Sequence, residues 1–428
     1  MIFSTYNKTT PQSNYRYHLN RISLNNGLTL IHQEISSTSV VVADIWVNAG
    51  VTTEPQSWSG MSHFLEHMIF KGTKNILPGD FDYIIENTGG YSNAATGYDY
   101  THFYLTTASG YLPDTLPYLA EILLQAEIPD EEFYLERDVV LEEIRSSNDD
   151  YDWIILQHLA SSIYPNHPYG RSVLGEESLL LNNTPNQMRC YHKTHYQPEN
   201  MTVVLVGNIT QDKAISLVEK CFQNFSPRSE CPKVTFDSEP PMIDIRRQQL
   251  FFPRLQHSRL VMGWLGAGID NLEGANALDM LSVILTGGRT SRLIRKLREE
   301  EHLVLDISCD FSLQKHSSLF TISAYLSPDK MTILEDKIRN EIHQLQQNPI
   351  TVQELINCQK ALCHNYIFST ETPEQLAGLY GYYEMLENAH LALKYPQIVK
   401  NLSPEKLQSY ACQYLSPEYY ALCHIECC

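Results

Sequence analysis

The sequence predicts an α+β protein built from two similar halves. Strand-like apolar segments alternate along the chain with capped helical segments. One group of signals also occurs twice, at a constant offset of 219 residues: Thr184-Pro185, Tyr191 and Pro198-Glu199 recur as Ser403-Pro404, Tyr410 and Pro417-Glu418. In both copies a capped helix leads into an apolar strand. Self-similarity at a fixed spacing indicates a duplicated structural unit.

The first half opens with a predicted hairpin. Residues 21–24 and 28–31 flank Asn25-Asn26-Gly27, a sequence typical of a tight turn between two strands. The next predicted elements are a strand over 40–47, a helix over 59–70, a strand over 101–106, a helix over 112–125, one long helix over 131–162, a helix opened by the capping box at 184–187, and a strand over 201–206.

A proline-rich segment separates the halves. Residues 225–241 contain four prolines and no clear hydrophobic period, which is typical of a linker between domains. We therefore predict a first domain over 1–224, a linker over 225–245 and a second domain over 246–428. In the second domain the sequence predicts a strand over 258–264, a helix over 275–285 and a helix over 351–363 with its own capping box.

The composition excludes some classes of partner. With 31 Lys plus Arg against 50 Asp plus Glu, the net charge of −19 argues against nucleic-acid binding, which leaves a basic footprint. No apolar run reaches the roughly 20 residues needed to cross a bilayer, and residues 1–16 lack a signal-peptide core. The ten cysteines form no C-x-x-C pair, which is typical of reduced thiols in a cytoplasmic protein. The group Cys423–Cys428 is a weak second candidate for metal binding.

The residues that carry chemistry lie in the predicted helix over 59–70. His63, Glu66 and His67 are spaced i, i+3 and i+4, so they share one helical face. Two imidazoles one turn apart can hold one zinc ion, and Glu66 between them can reach a metal-bound water. The alternative without a metal is a pair of structural helix histidines with a nearby carboxylate. Because the flanking residues are apolar, burial without a metal or an internal partner would be costly, and a metal site is favoured.

A hydrolytic zinc site needs a third protein ligand. Glu136 and Glu143 are seven residues apart, hence two turns apart on one face of the predicted helix over 131–162. Glu142 competes as a ligand on the neighbouring face. Spacing alone leaves a solvated acidic face as an equal alternative.

Two longer segments show a family resemblance. Gly60–Thr73, which contains the H-x-x-E-H motif, and Gly90–Thr96 resemble the pitrilysin/insulinase family of zinc metallopeptidases, particularly its short two-domain branch related to the mitochondrial processing peptidase. The resemblance implies two homologous α/β-sandwich halves, each a mainly antiparallel sheet with helices packed on it, arranged like a clamshell. It also implies Zn²⁺ held by His63, His67 and Glu143, with Glu66 as general base and Glu136 as an acid that tunes the site.

The same resemblance implies how the protein acts. Peptides or unfolded precursor segments would bind in extended form against the strand containing Asn93 and Ala94. Active relatives also contact the substrate with an Arg and a Tyr seven residues later, and here Arg298 is kept while the Tyr position is Leu305. We therefore expect a homologous partner subunit in a heterodimer, or a homodimer. The alternatives are a binding or assembly subunit with weak catalysis, and a maturation protease for one dedicated precursor.

Overall fold

The computed structural model describes residues 18–252, 255 and 257–427. Residues 1–16, in which the sequence predicts no signal-peptide core, lie outside the described residues. The first half contains β1 (Asn20–Ser23), β2 (Thr29–Glu34), β3 (Val40–Val47), α1 (Met61–Ile69), α2 (Asp80–Asn87), β4 (Tyr91–Thr96), β5 (Thr101–Ala108), α3 (Leu112–Leu124), α4 (Asp130–Ser147), α5 (Tyr151–Ile163), α6 (Glu177–Leu180), α7 (Pro185–His195), β6 (Met201–Gly207) and α8 (Gln211–Cys221).

The second half begins after a segment, residues 225–243, that forms no helix or strand. It contains β7 (Ile245–Phe252), β8 (Ser258–Gly266), α9 (Leu272–Thr286), β9 (Asp306–Leu313), β10 (Ser318–Leu326), α10 (Met331–Gln347), α11 (Val352–Phe368), α12 (Pro373–Leu386), α13 (Tyr395–Asn401), α14 (Pro404–Tyr414) and β11 (Tyr420–Cys427). A short π-helical turn, Ile294–Glu300, lies between α9 and β9. We propose that the domain boundary lies in the predicted linker.

The two sheets share one topology over five strands, and the first sheet has β1 as an additional edge strand. The first has the order β1-β2-β6-β3-β5-β4 and the second the order β7-β11-β8-β10-β9. Within each, the strand that closes the half pairs parallel to one neighbour and antiparallel to the other, and the remaining pairs are antiparallel. The offset of 219 residues also relates the first residues of α7 and α14, and of β6 and β11. The predicted α+β fold of two duplicated, mainly antiparallel halves is confirmed.

The single long helix predicted over 131–162 is wrong. The chain forms α4 and α5 instead, with a break at residues 148–150. Asp150 caps α5, because its side chain accepts hydrogen bonds from the backbone N–H groups of Asp152 (2.9 Å) and Trp153 (3.4 Å). Such a cap satisfies donors that have no partner inside the helix, so it favours a new helix start. The hydrophobic period continues on both sides, which is why it concealed the break.

The halves exchange one helix each. From the first half, α5 buries Ile155, Leu159 and Ile163 against β8 and β11 of the second sheet. From the second half, α12 buries Leu376 and Tyr380 against β3 and β6 of the first sheet. Each sheet is therefore covered by its own helices on one face and by a helix of the other half on the opposite face.

The largest apolar core holds the helix that carries the motif. On α1, Phe64, Leu65 and Met68 are fully buried in a core shared with β3, β5, α3 and α4. The rings of Phe64 and Phe133 lie 4.6 Å apart between centroids, so α1 packs directly on α4. Among the described residues, no helix is long and apolar enough to cross a membrane.

Candidate metal centre

Helix α1 begins at a glycine with an unusual backbone. Gly60 has a φ of 86°, and a Cβ at this position would lie 2.7 Å from the carbonyl oxygen of Leu174. Only glycine accommodates both the left-handed conformation and the close approach. The carboxylate of buried Glu54 then accepts hydrogen bonds from the N–H groups of Gly60 (2.9 Å) and Ser62 (2.7 Å). Glu54 thus satisfies donors at the start of the helix that carries the motif.

Three predicted ligands converge. Potential ligand atoms of His63, His67 and Glu143 all lie within 4.8 Å of one another. The Oε2 atom of Glu143 is 3.6 Å from Nε2 of His63 and 3.6 Å from Nε2 of His67. Burial, together with the charge of His67, lowers the pKa of His63 to about 4, so this imidazole is neutral at pH 7. Its Nδ1 is buried and makes no hydrogen bond to the described residues, while its Nε2 faces Glu143.

These residues fit a zinc ion. Two imidazole nitrogens and one carboxylate oxygen are the donor types of hydrolytic zinc sites, which keep a further position for water. The structure therefore brings together the three residues predicted as ligands, whereas Glu142 points away. The Glu142 side chain is 70% exposed and pairs with Arg145 at 3.6 Å.

Glu136 lies beside the cluster rather than in it. Its Oε1 is 2.9 Å from Nδ1 of His67, and its other oxygen pairs with Lys71. Burial alone would raise the pKa of Glu136, but the hydrogen bonds from His67 and Lys71 outweigh burial and lower it. A carboxylate at Nδ1 fixes the proton there and leaves Nε2 of His67 to face Glu143.

Glu66 is held by a contact that the sequence did not predict. The hydroxyl of Thr96 on β4 donates a hydrogen bond of 2.5 Å to Oε2 of Glu66. Burial raises the pKa of Glu66, although the Thr96 bond and the nearby His67 act in the opposite direction. A raised carboxyl pKa moves the group towards the range in which it can both take up and release a proton.

The predicted substrate strand is β4. It is the last strand of its sheet and pairs only with β5, with Asn93 opposite Tyr104 and Ala94 opposite Phe103. Its second edge has no strand partner among the described residues. Ala94 and Thr96 lie on the face towards α1, while Asn93 is exposed on the other face. An extended peptide that paired with the open edge would run past Glu66.

Arg298 is not part of this cluster. It lies in the π-helical turn of the second half, and its guanidinium donates to Glu299 (3.0 Å) and Asp306 (3.0 Å). Leu305 is 56% exposed nearby, and its backbone N–H bonds to Tyr325 O. In α9 of the second half, Leu278 and Leu281 are fully buried in an apolar core.

Among its described residues, the C-terminal group suspected of binding metal forms no cluster of three ligands, although His424 and Glu426 pair at 3.3 Å. Cys423 and His424 follow each other in β11, so their side chains point to opposite faces of the sheet. Cys423 is buried among apolar residues that include Ile155 of α5. The side chain of Cys427 and all of Cys428 lie outside the described residues.

Two family models together match about three quarters of the chain. The insulinase (peptidase family M16) model matches residues 29–177, and the peptidase M16 inactive-domain model matches residues 182–362. The chain belongs to the M16 peptidase family. This M16 chain is 29% identical to the zinc protease PqqE of Helicobacter pylori over 85% of its own length and 82% of that protein. It is 26% identical to the zinc protease YmxG of Bacillus subtilis, over 91% and 93% of the two chains.

Solved structures agree with this membership. A protease from Helicobacter pylori superposes with a TM-score of 0.90 at 25% identity, covering 96% of this chain and 99% of that one. The periplasmic protease PqqL of Escherichia coli superposes with a TM-score of 0.79 at 17% identity, covering 95% of this chain but 47% of that one. The M16 chain therefore has the fold of half of that larger protein. Because its relatives are named zinc proteases, they support the peptidase class.

Proposed function

We propose that this M16 chain is a zinc-dependent endopeptidase for peptides or unfolded precursor segments. The observation that carries the proposal is the convergence of His63, His67 and Glu143 with Glu66 on the same helix as both histidines. A bound zinc ion would polarise the peptide carbonyl and lower the pKa of a coordinated water towards about 7.

The residues around the metal would divide the remaining work. Glu66 removes a proton from the attacking water and passes it to the nitrogen of the leaving amine. Thr96 orients the Glu66 carboxylate, since its hydroxyl donates to Oε2 and leaves Oε1 for the proton. Glu136 holds the ring of His67 in one tautomer through its hydrogen bond to Nδ1.

Main-chain pairing with β4 would hold the substrate. An extended peptide that adds to an open sheet edge gains its affinity from backbone hydrogen bonds. Asn93 and Ala94 lie on this edge strand, and Thr96 at its end contacts Glu66. Because such pairing depends on an extended backbone, folded proteins would be poor substrates and side-chain selectivity would be broad.

A partner subunit would complete the active site. Arg298 is engaged by two acidic groups of its own half, and Leu305 has no hydroxyl with which to stabilise an oxyanion. Loss of one such donor typically costs about 2.7–4 kcal/mol of transition-state stabilisation. We propose a heterodimer with a homologous chain that provides the Arg and Tyr, or else a homodimer. A cytoplasmic location remains a prediction from the sequence.

The test compares the purified chain with its Glu66→Gln variant on a mixed peptide library. Zinc should be bound by both, and hydrolysis should fall about 10²–10⁴-fold in the variant, which is the range for loss of a general acid–base group. Glu142→Gln is the matched control, because that side chain is exposed and pairs with Arg145. Equal hydrolysis by Glu66→Gln and the unmodified chain would exclude Glu66 as the general base.

A binding or assembly subunit is the second candidate, favoured by the exposed Leu305 at the expected Tyr position. The two functions differ in the activity of the isolated chain. Turnover at ordinary enzymatic rates, about 1–10³ s⁻¹, would show that no partner is needed. Zinc binding without turnover, even when a homologous partner is added, would favour the binding subunit. Activity on one precursor alone would point to a dedicated maturation protease.

A further inference from the structure

Two cysteines that are distant in sequence lie in contact away from the metal cluster. The Sγ atoms of Cys190 on α7 and Cys231 in the segment 225–243 are 3.4 Å apart. Both side chains are half-buried, and both are free thiols. A disulfide needs an S–S distance of about 2.05 Å, so the sulfurs must approach each other by about 1.4 Å.

The backbone around this pair is already held in position. The Thr194 hydroxyl oxygen lies 2.8 Å from the carbonyl oxygen of Cys190, 3.0 Å from that of Ser229 and 3.3 Å from the sulfur of Cys231. Gln197 donates to the carbonyl of Ser226 (3.1 Å), and Ser229 N–H donates to the carbonyl of Lys193 (3.3 Å). The C-terminal end of α7 and the residues just after it thus hold residues 226–231 in place, so the two thiols already lie in contact in the folded chain.

The segment can supply the small remaining movement. Residues 225–243 contain no helix or strand, so a shift of Cys231 breaks no regular hydrogen-bond ladder. Oxidation would otherwise have to distort α7, which is tied to the core through buried Tyr191. We propose that Cys190 and Cys231 form a disulfide modification site that covalently joins helix α7 to the segment between the two halves.

The chemistry balances with a small-molecule disulfide as oxidant. The Cys190 thiolate attacks one sulfur of oxidised glutathione, forming a mixed disulfide and expelling one glutathione thiolate. The Cys231 thiol then loses its proton to solvent and attacks the Cys190 sulfur, which expels the second glutathione. Two protein thiols are oxidised, and one small disulfide is reduced to two thiols.

The environment of Cys231 favours this order. Burial raises the pKa of Cys231 to about 12, with the neighbouring Cys190 acting in the same direction against the Thr194 bond. The Cys190 sulfur lies 3.4 Å from that of Cys231 and 3.5 Å from the carbonyl oxygen of Glu230. Because its pKa is raised, Cys231 reacts second, after the mixed disulfide on Cys190 has formed beside it.

The test exposes the whole zinc-loaded chain to glutathione buffers of rising oxidised fraction. Remaining thiols are alkylated, and non-reduced peptides are identified by mass. We expect a peptide pair joined through Cys190 and Cys231, two hydrogens lighter than the reduced pair, at ratios that leave exposed Cys412 mostly reduced. In the Cys231→Ser variant the reaction should stop at a glutathione adduct on Cys190. In Cys190→Ser, Cys231 should stay reduced.

Cys221→Ser is the matched control, since Cys221 is also half-buried and leaves both members of the pair intact. This control should form the same linkage as the unmodified chain. Stable glutathione adducts on Cys190 in the unmodified chain, with Cys231 still reduced, would overturn the proposal. So would a pair that stays reduced at ratios that modify Cys412. Neither result depends on peptidase activity.

Discussion

Single residues decide which carboxylate belongs to the metal cluster. Glu142 and Glu143 are neighbours on α4, and their side chains leave the helix about 100° apart. Only Glu143 has an oxygen 3.6 Å from both imidazoles, while Glu142 pairs with Arg145 in solvent. A shift of one residue along the helix therefore separates a candidate ligand from a surface charge.

This separation predicts opposite outcomes for two similar substitutions. Glu143→Gln should lower the affinity for zinc by at least about 100-fold, since even residues behind the ligands are worth 10–100-fold. Glu142→Gln should leave the affinity unchanged. Competition titration against a zinc-binding dye measures both, with circular dichroism as a check on folding. A larger loss of zinc affinity in Glu142→Gln than in Glu143→Gln would show that Glu142, and not Glu143, is the ligand.

The sequence predicts the residues of the metal cluster, but it does not predict the residues that hydrogen-bond to them or to their helix. His63 and His67 share a face because the α-helical period fixes it, and this needs no information from elsewhere in the chain. Thr96 reaches Glu66 only because β4 is folded beside α1, and Glu54 reaches Gly60 only because the chain turns back on itself. Such contacts depend on tertiary packing, for which the local pattern carries no signal.

At the scale of elements, local caps decide where helices begin. Helix α11 starts at a capping box in which Thr351 and Glu354 exchange hydrogen bonds with each other's backbone N–H groups (3.2 and 2.9 Å). The sequence predicted this start correctly because all the partners lie within four residues. The cap at Asp150 was missed, since a strong hydrophobic period ran across it.

Arg292 adds a tertiary contact to the start of α11. Its guanidinium donates to both oxygens of Glu354, at 2.8 and 3.1 Å. Burial alone would raise the pKa of Glu354, but the bonds from Arg292 and Thr351 outweigh it and lower the pKa to about 2. A carboxyl whose pKa is lower in the folded state stabilises the fold above its unfolded value, near 4.3. That stabilisation is lost as the pH falls towards 2.

Glu354→Gln should therefore be less stable than the unmodified chain at pH 7. The difference should shrink steadily below about pH 4.3, because the unfolded chain then takes up a proton at Glu354 while the folded chain keeps this group ionised until near pH 2. Thermal unfolding at pH 7, 4 and 3 measures this convergence. Glu371→Gln, at an exposed position before α12, serves as the control and should show little difference at any pH. A difference in thermal stability between Glu354→Gln and the unmodified chain that is the same at all three pH values would contradict the lowered pKa of Glu354.

At the scale of the whole molecule, the exchanged helices tie the halves together. The duplicated topology could be predicted from the offset of 219 residues, but the exchange could not. A helix with an apolar face can pack on either sheet, so its sequence alone does not predict which sheet it covers. Helix α12 reaches the first sheet at Trp46, which is 2% exposed and in ring contact with Tyr100 (4.7 Å between centroids).

Glycine 381 sets how closely α12 approaches that sheet. A Cβ on Gly381 would lie 2.0 Å from Nε1 of Trp46, whereas a Cβ on Gly378, one turn earlier, would meet no atom within 4 Å. Gly381→Ala should therefore push α12 away from β3 and destabilise the protein by about 1–3 kcal/mol, as overpacking typically does. Gly378→Ala should instead stabilise it by about 0.5–1 kcal/mol, because alanine is the better helix former.

The opposite signs make the pair a direct test of the exchange. Denaturant unfolding of both variants gives the two changes in stability, and Trp fluorescence reports whether Trp46 becomes more exposed in Gly381→Ala. If α12 did not cover the first sheet, Gly381 would be an ordinary helix glycine. Both substitutions would then stabilise the chain to a similar extent, with no change in fluorescence. A loss of stability in Gly381→Ala alone is what the contact with Trp46 requires.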